Sequence, residues 1–533
     1  MHSALTIPEL VSTICGELDR DTSNRKQGQA TLAAFARTCK TVSAIALSVL
    51  WRQQNGFVPL LCCLSTEVLG IAESAYSGRA GGCRKTLRLQ QPIRPEHWSR
   101  VFNYSRFTQD ILLWEPENAF GNLDDHTLES ISRSLSEQPV PLLQNLQKVR
   151  YRARSVRRAA YAFLCVVSGC NVASILYTSD GVPSTPDLHF IQCLAQKSWM
   201  SVTEFSCNGL VDKMSPHITC YESLVTTLRS LPNLQFVSIP CYHPLLEQLS
   251  KHPSLRALSV ESRAFSEFSP PSPATKRHRI QGLNSLSLDF EFGTHLIEFL
   301  DHFDFTDSKL ETLHIHLLHN CPTDMQNRLL EAFQSSLYTG VLTNFSIFVR
   351  YATESPEIPL GDVLNLLIAS PKLDTLEVLL PEYLTPGMHC TDAGDTLVAQ
   401  IGRRWGLLRQ LTLASCVDLE GTVQGEAITL KSLFVLAECC PALSFLRIMI
   451  DASGEVPDVR ALLPDGRMET AHRGEIQLDF TSPSPISAGN VESVARFLGD
   501  VFWSVGGLVN DETLGCRELW EEVEDIVLAL HVA

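Results

Sequence analysis

From residue 140 onward one six-residue phrase, apolar-x-x-apolar-x-apolar, recurs eleven times, and no other feature restricts the possible folds so severely. The instances are "LQKVRY" (146–151), "VASILY" (172–177), "VTEFSC" (202–207), "LQFVSI" (234–239), "LRALSV" (255–260), "LNSLSL" (283–288), "LETLHI" (310–315), "LTNFSI" (342–347), "LDTLEV" (373–378), "LRQLTL" (408–413) and "LSFLRI" (443–448). Their starts lie 21 to 35 residues apart. Within each phrase the alternation is that of a strand with one buried face, and the intervals often carry helical spacing, as in "YESLVTTLRSLPN" and "HPLLEQLSKHPS". A strand and helix of this size have no core of their own and gain one only by stacking on their neighbours.

Strand-helix units at this period read as an irregular leucine-rich-repeat solenoid built on a parallel sheet. The recurrent "LPNL", "HPSL", "SPKL" and "CPAL" place a proline where a helix stops and the next strand begins. Only "LRQLTLASCVDL" (408–419) completes the fuller repeat pattern, with Cys416 and Leu419. Alternating strands and helices also build open parallel sheets, so a multidomain α/β chain is the competing architecture. In either case "SEFSPPSPATKRHRIQG" (266–282) is expected to be an exposed loop. After the last phrase, "GEIQLDF" (474–480) predicts one more strand and "AGNVESVARFLGDVFWSV" a helix, and the acidic helix "CRELWEEVEDIVLAL" is expected to cap the array.

The chain has 533 residues, a net charge of −16 and an apolar fraction of 44%. So acidic a protein lacks the basic face that phosphate neutralisation requires, and no nucleic-acid partner is expected. Its seventeen cysteines are scattered, odd in number and without zinc or CxxC spacing, and no secretory signal precedes them. They predict reduced thiols in an intracellular protein, cytoplasmic or nuclear. The uncharged "AAYAFLCVVSGCNVASILY" (159–177) barely reaches spanning length and divides into a helix and a strand, so no membrane insertion is expected.

At the N-terminus, "LTIPELVSTICGELD" (5–19) specifies a short amphipathic helix. Thr6 and Glu9 make a capping box, Pro8 sits in the first turn, and Ile7, Leu10, Val11, Ile14 and Leu18 form one apolar stripe. Beyond the polar loop "DRDTSNRKQGQ", Leu32, Phe35, Cys39, Val42, Ala46 and Val49 repeat the alternation up to Trp51. Two or three such helices bury a modest core and leave apolar surface for a neighbour, either the following domain or another protein.

"LTIPELVSTICGELD" followed by "TLAAFARTCKTVSAIALSVLWR" resembles an F-box: a Pro-Glu-Leu start, Ile and Leu one and two turns later, Cys-Lys before the third helix, and a terminal Leu-Trp-Arg. Residue 7 is Ile where the family commonly has Leu, and the first interhelix loop is longer than in compact members. The expanded fungal F-box families look similar in both respects, and in the aromatic "PEHWSRVFNYSRF" (95–107) that follows. The resemblance implies that Ile7, Pro8, Leu10, Val11, Ile14 and Leu18, with Cys39, Val49, Leu50 and Trp51, form or support a surface for the Skp-type adaptor of a cullin–RING ubiquitin ligase.

The organisation expected is an F-box helical domain at 1–64, a helical or irregular link at 65–140, the repeat array at 141–480 and a helical cap at 481–533. On each repeat strand the residues flanking the central apolar position point outward. Of these, Ser259, Ser287, His314, Ser346, Glu377, Thr412 and Arg447 are the candidate contacts for a protein substrate of unknown identity. Other chemistry is weaker. His314, His316 and His319 with Cys321 are the densest ligand set but read as surface histidines, "GGCRKT" (81–86) lacks the glycine before Lys85 of a phosphate loop, and "KRHR" (276–279) reads as a solvated insertion or a nuclear address. No cofactor and no catalysis by the chain itself are expected. A non-degradative scaffold and a soluble α/β enzyme are the rival readings.

Overall fold

The computed structural model describes residues 7–20, 25–75, 83–113, 122–123, 125–153, 171–179, 194, 199–208, 218–262, 277–319, 323–336, 340–351, 364, 367–380, 394–415, 428–462, 472–481, 484–510 and 516–532. They fall into two compact units, Met1–Leu255 and Arg256–Ala533. Fifteen strands pair in parallel, six in the first unit and nine in the second, and in each unit they follow one another in chain order.

Each of the eleven phrases is a strand, and each strand begins at the third residue of its phrase, from Lys148–Ala153 to Phe445–Ile448. The three apolar positions are buried throughout, with no side chain more than 4% exposed. Entry into most of these strands is held by a repeated backbone device. The carbonyl of a phrase's second residue accepts from two successive amides of the next, as when Arg256 O receives the Asn284 and Ser285 amides at 2.7 and 3.1 Å.

Parallel sheets buried on both faces read as continuous apolar runs. Here Ala257–Ser262 and Ser285–Phe292 alternate between buried and partly exposed residues. The core therefore lies on one face, and the strand order contains no reversal of the kind that opens a binding crevice in doubly wound sheets. The chain is an α/β protein with a large parallel sheet.

The parallel ladder extends beyond the phrases at both ends. Gln53–Asn55 pairs with Asp110–Leu113, and that strand with Lys148–Ala153, so two strands precede residue 141. At the far end the predicted helix through Val505 stops at Val501, and Phe502–Asn510 is a strand paired with His472–Phe480. The aromatic and β-branched run "FWSV" takes the extended form because a ladder edge is there to receive it. A closing helix, Arg517–Val532, packs on this end through Trp520, whose ring lies 4.6 Å from Phe480.

The basic run is another correction. Residues 277–282 are not a free loop: His278–Arg279 pairs with Phe303–Asp304. Arg279 reaches Asp304 and Asp307 at 3.2 and 3.3 Å, and Arg277 reaches Asp301. Burial raises the Asp304 carboxyl, but hydrogen bonds from Thr306 and the Arg279 charge outweigh it and hold it below the ordinary range. Within the span-length apolar segment, Ser174–Ser179 is a strand, and residues 159–170 lie outside the described residues. Among the described residues no helix is long and apolar enough to cross a membrane.

Two histidines in this frame predict an acid-sensitive fold. His252 in the first unit and His472 in the second are 8% and 1% exposed, and burial pulls both below the ordinary value of 6.5. The unfolded chain thus binds more protons than the folded one below about pH 6.5. Stability should fall as pH drops through that value, by at most about 1.4 kcal/mol per pH unit for each imidazole, and level off beneath the folded pKa values. Urea unfolding at about pH 7.5 and 5.5 should give the lower midpoint at the acid value; equal midpoints would show that neither imidazole is held neutral.

Candidate functional site

Three helices open the first unit: α1 (Pro8–Arg20), α2 (Arg25–Phe35) and α3 (Lys40–Arg52). The polar stretch expected as a loop is mostly helical, since Asp19 and Arg20 belong to α1 and Arg25–Gln29 to α2. A glycine suggests a break, but Gly28 is there for packing: a Cβ on it would run into the Leu18 carbonyl oxygen of α1. The capping box falls partly outside the described residues, because Thr6 does.

The bundle core is Val11, Cys15, Leu32, Ala36, Val42, Ala46 and Val49, with Leu18, Phe35, Cys39 and Leu50 packed against it. The helix α1 is thus not short of partners within its own chain, and its apolar stripe divides in two. Val11 and Cys15 are 1% and 0% exposed, whereas Ile7, Leu10 and Ile14 are 44%, 46% and 44% exposed. Pro8 is exposed beside them. Of the ten residues named for the adaptor surface, Val11 and Val49 are core and Leu18, Cys39 and Leu50 flank it, so these five hold α1 in place. Trp51 stacks on Tyr104 at 5.0 Å, in the helix Trp98–Ser105 that the aromatic "PEHWSRVFNYSRF" forms. Trp98 in turn is fully buried and donates to Ser134 Oγ at 2.9 Å. The surface left is Ile7, just before α1, with Pro8, Leu10 and Ile14 on the helix.

In the second unit the seven residues named as substrate contacts fall into one row. Ser259, Ser287, His314, Ser346, Glu377, Thr412 and Arg447 are consecutive partners in register across seven adjacent strands. His314 is exposed, and all the others except Thr412 are half-buried. Thr412, between the longer Glu377 and Arg447, is 5% exposed and presents little surface. Asp479 continues the row one strand further and lies 3.5 Å from Arg447. The alternation in "GEIQLDF" carried that signal, since Ile476, Leu478 and Phe480 are the buried set.

The row above it could not be read from spacing. Glu261, Asp289, His316 and Phe348 are in register on four adjacent strands. His316 Nδ1 donates to Asp289 Oδ1 at 3.0 Å, and its ring lies 4.7 Å from that of Phe348. His314 and His316 share a face as expected, while His319 stacks on Phe292 at 5.2 Å and Cys321 lies outside the described residues. Among the described residues no three His, Cys, Asp or Glu side chains are placed to hold a metal ion. Residues 83–86, the described part of the glycine-rich phrase, begin the strand Cys83–Leu89, which is antiparallel to Leu69–Ala75. Burial, with the neighbouring Cys439, pushes the pKa of the Cys440 thiol up to about 12.

No family model matches the chain, and no curated protein matches it.

Proposed function

We propose that this protein is a substrate-recruiting adaptor of a Skp/cullin/F-box ubiquitin ligase. In this reading the helices α1 to α3 are the F-box, and the one-sided parallel ladder is a leucine-rich-repeat array whose outward rows bind a protein substrate. One observation carries it: α1 uses Val11 and Cys15 to hold its own bundle while Ile7, Leu10 and Ile14 remain about half exposed. Three large apolar side chains on one helix face, beside a proline, are an unusual thing to leave in water. Completing their burial contributes roughly 1 kcal/mol apiece, enough to anchor an interface but not to make one alone.

No covalent chemistry is assigned to the chain. Its contribution is positional, since holding a substrate lysine near a charged ubiquitin donor makes the transfer quasi-intramolecular. The rows of half-buried polar residues on the second unit suit a binding surface, and the sequential strand order gives no support to a nucleotide-type crevice.

The test is a pull-down of the full chain with the Skp-type adaptor. The parent should capture it, and Leu10→Asp/Ile14→Asp should lose capture by about a hundredfold or more while retaining the parent's circular dichroism. A folded parent that captures no adaptor would remove the ligase reading.

A further inference from the structure

We propose that Glu524 and His531 make the helix Arg517–Val532 a guard over the open edge of the ladder, and that the strand it covers pairs with a second copy of this chain when both contacts are lost. The inference concerns the far end of the second unit and is independent of the adaptor surface of α1 and of the substrate rows.

Phe502–Asn510 is the last strand of the ladder and pairs with His472–Phe480. An unpaired strand edge offers its amides and carbonyls as a template for another chain, and proteins blunt such edges by shortness, charge, proline, bulges or a covering element. The first strand of the ladder, Gln53–Asn55, is three residues long. Phe502–Asn510 has nine, and its sequence, FWSVGGLVN, holds neither a charge nor a proline. Apart from two register shifts against its neighbour, its protection falls to the helix.

That helix meets the strand with side chains. Glu524 Oε1 accepts from the Leu508 amide at 3.0 Å, and His531 Nε2 donates to the Phe502 carbonyl at 3.1 Å. An acceptor and a donor thus stand where the carbonyls and amides of a further strand would bond. Trp520, Val523 and Val527 are buried and anchor the helix, and Trp520 also donates to the Ser484 carbonyl at 2.9 Å. On its outer side Glu518, Glu522 and Asp525 are exposed, so a second copy brought to this end meets like charge.

A second copy is the partner that the strand itself specifies. In a two-fold pairing Phe502–Asn510 meets its own equivalent, each copy uses its one long terminal strand of the ladder, and association closes at a dimer.

Sedimentation velocity of the full chain tests this. The parent should be a monomer over an about tenfold range of concentration, whereas Glu524→Ala/His531→Ala should form dimers whose fraction rises across it. Should the double variant lose the parent's circular dichroism, Glu524→Ala alone, a change to the strongest helix former, should give the same dimers in smaller amount. Leu508→Pro added to either variant should restore the monomer. The Leu508 amide faces Glu524 and not the ladder, so proline removes a donor that a second strand needs without breaking a bond to His472–Phe480. Glu492→Gln, on the helix Val491–Val501, should stay monomeric. A dimeric parent, monomers in both alanine variants, dimers that survive Leu508→Pro, or dimers in Glu492→Gln would overturn the proposal.

Discussion

Aspartate at position 11 should unfold the N-terminal bundle, whereas aspartate at position 10 should leave it folded. The two residues are neighbours in sequence and both apolar, but Val11 is 1% exposed and Leu10 46%. A carboxylate at Val11 is enclosed by the apolar Leu32, Val42, Ala46 and the rest of the bundle core. Such a buried charge costs several kcal/mol, more than a bundle of three short helices is expected to hold in reserve. At Leu10 the carboxylate stays in water, and the change should be within about 0.5 kcal/mol. Limited proteolysis across residues 7–52, with circular dichroism of the full chain, separates the outcomes. Equal resistance of the two variants would show that α1 does not divide into a structural and a free face, and the docking argument would lose its basis.

Phe299→Ala should be the most damaging of the core truncations in the second unit. Phe299 is fully buried in the helix Gly293–His302. Its ring lies 5.5 Å from Phe290, 5.1 Å from Phe303 and 5.9 Å from Phe305. Those partners come from the strand before the helix and the short segment after it, so one side chain ties three elements of a repeat together. Truncation leaves a cavity that aromatic neighbours of fixed shape cannot collapse into, and a loss of about 3–5 kcal/mol is expected. Ser287→Ala, on the outward row of the same repeat, should stay within about 0.5 kcal/mol. Thermal unfolding of both variants makes the comparison; a shift for Phe299→Ala no larger than for Ser287→Ala would mean that the aromatic cluster carries no core.

The eleven phrases were legible because a strand's alternation is local. Three apolar residues at positions one, four and six bury one face whatever lies elsewhere in the chain, and all eleven form strands. The outward row followed from the same parity, since Ser259 to Arg447 needed only the phrase in which each sits. The two strands at the ends of the ladder, which carry no phrase, were not legible. Gln53–Asn55 is three residues long, and Phe502–Asn510 follows directly on a helix. Pairing partners decided both.

What the sequence determined by itself was the unit that repeats, the residues that face inward and the presence of an amphipathic helix at the start. These depend on periods of 2 and 3.6 residues and on nothing distant. Only the tertiary structure decided which part of the α1 stripe is spent on the bundle, because Ile7, Leu10 and Ile14 differ from Val11 and Cys15 in neighbours rather than in character. It also decided that Arg277 and Arg279 meet Asp301, Asp304 and Asp307, and that Asp289 stands beside His316, 27 residues away. The reason is register: parallel pairing converts a separation of about one repeat into a distance of about 5 Å, and no local pattern in the chain records which residues it will bring side by side.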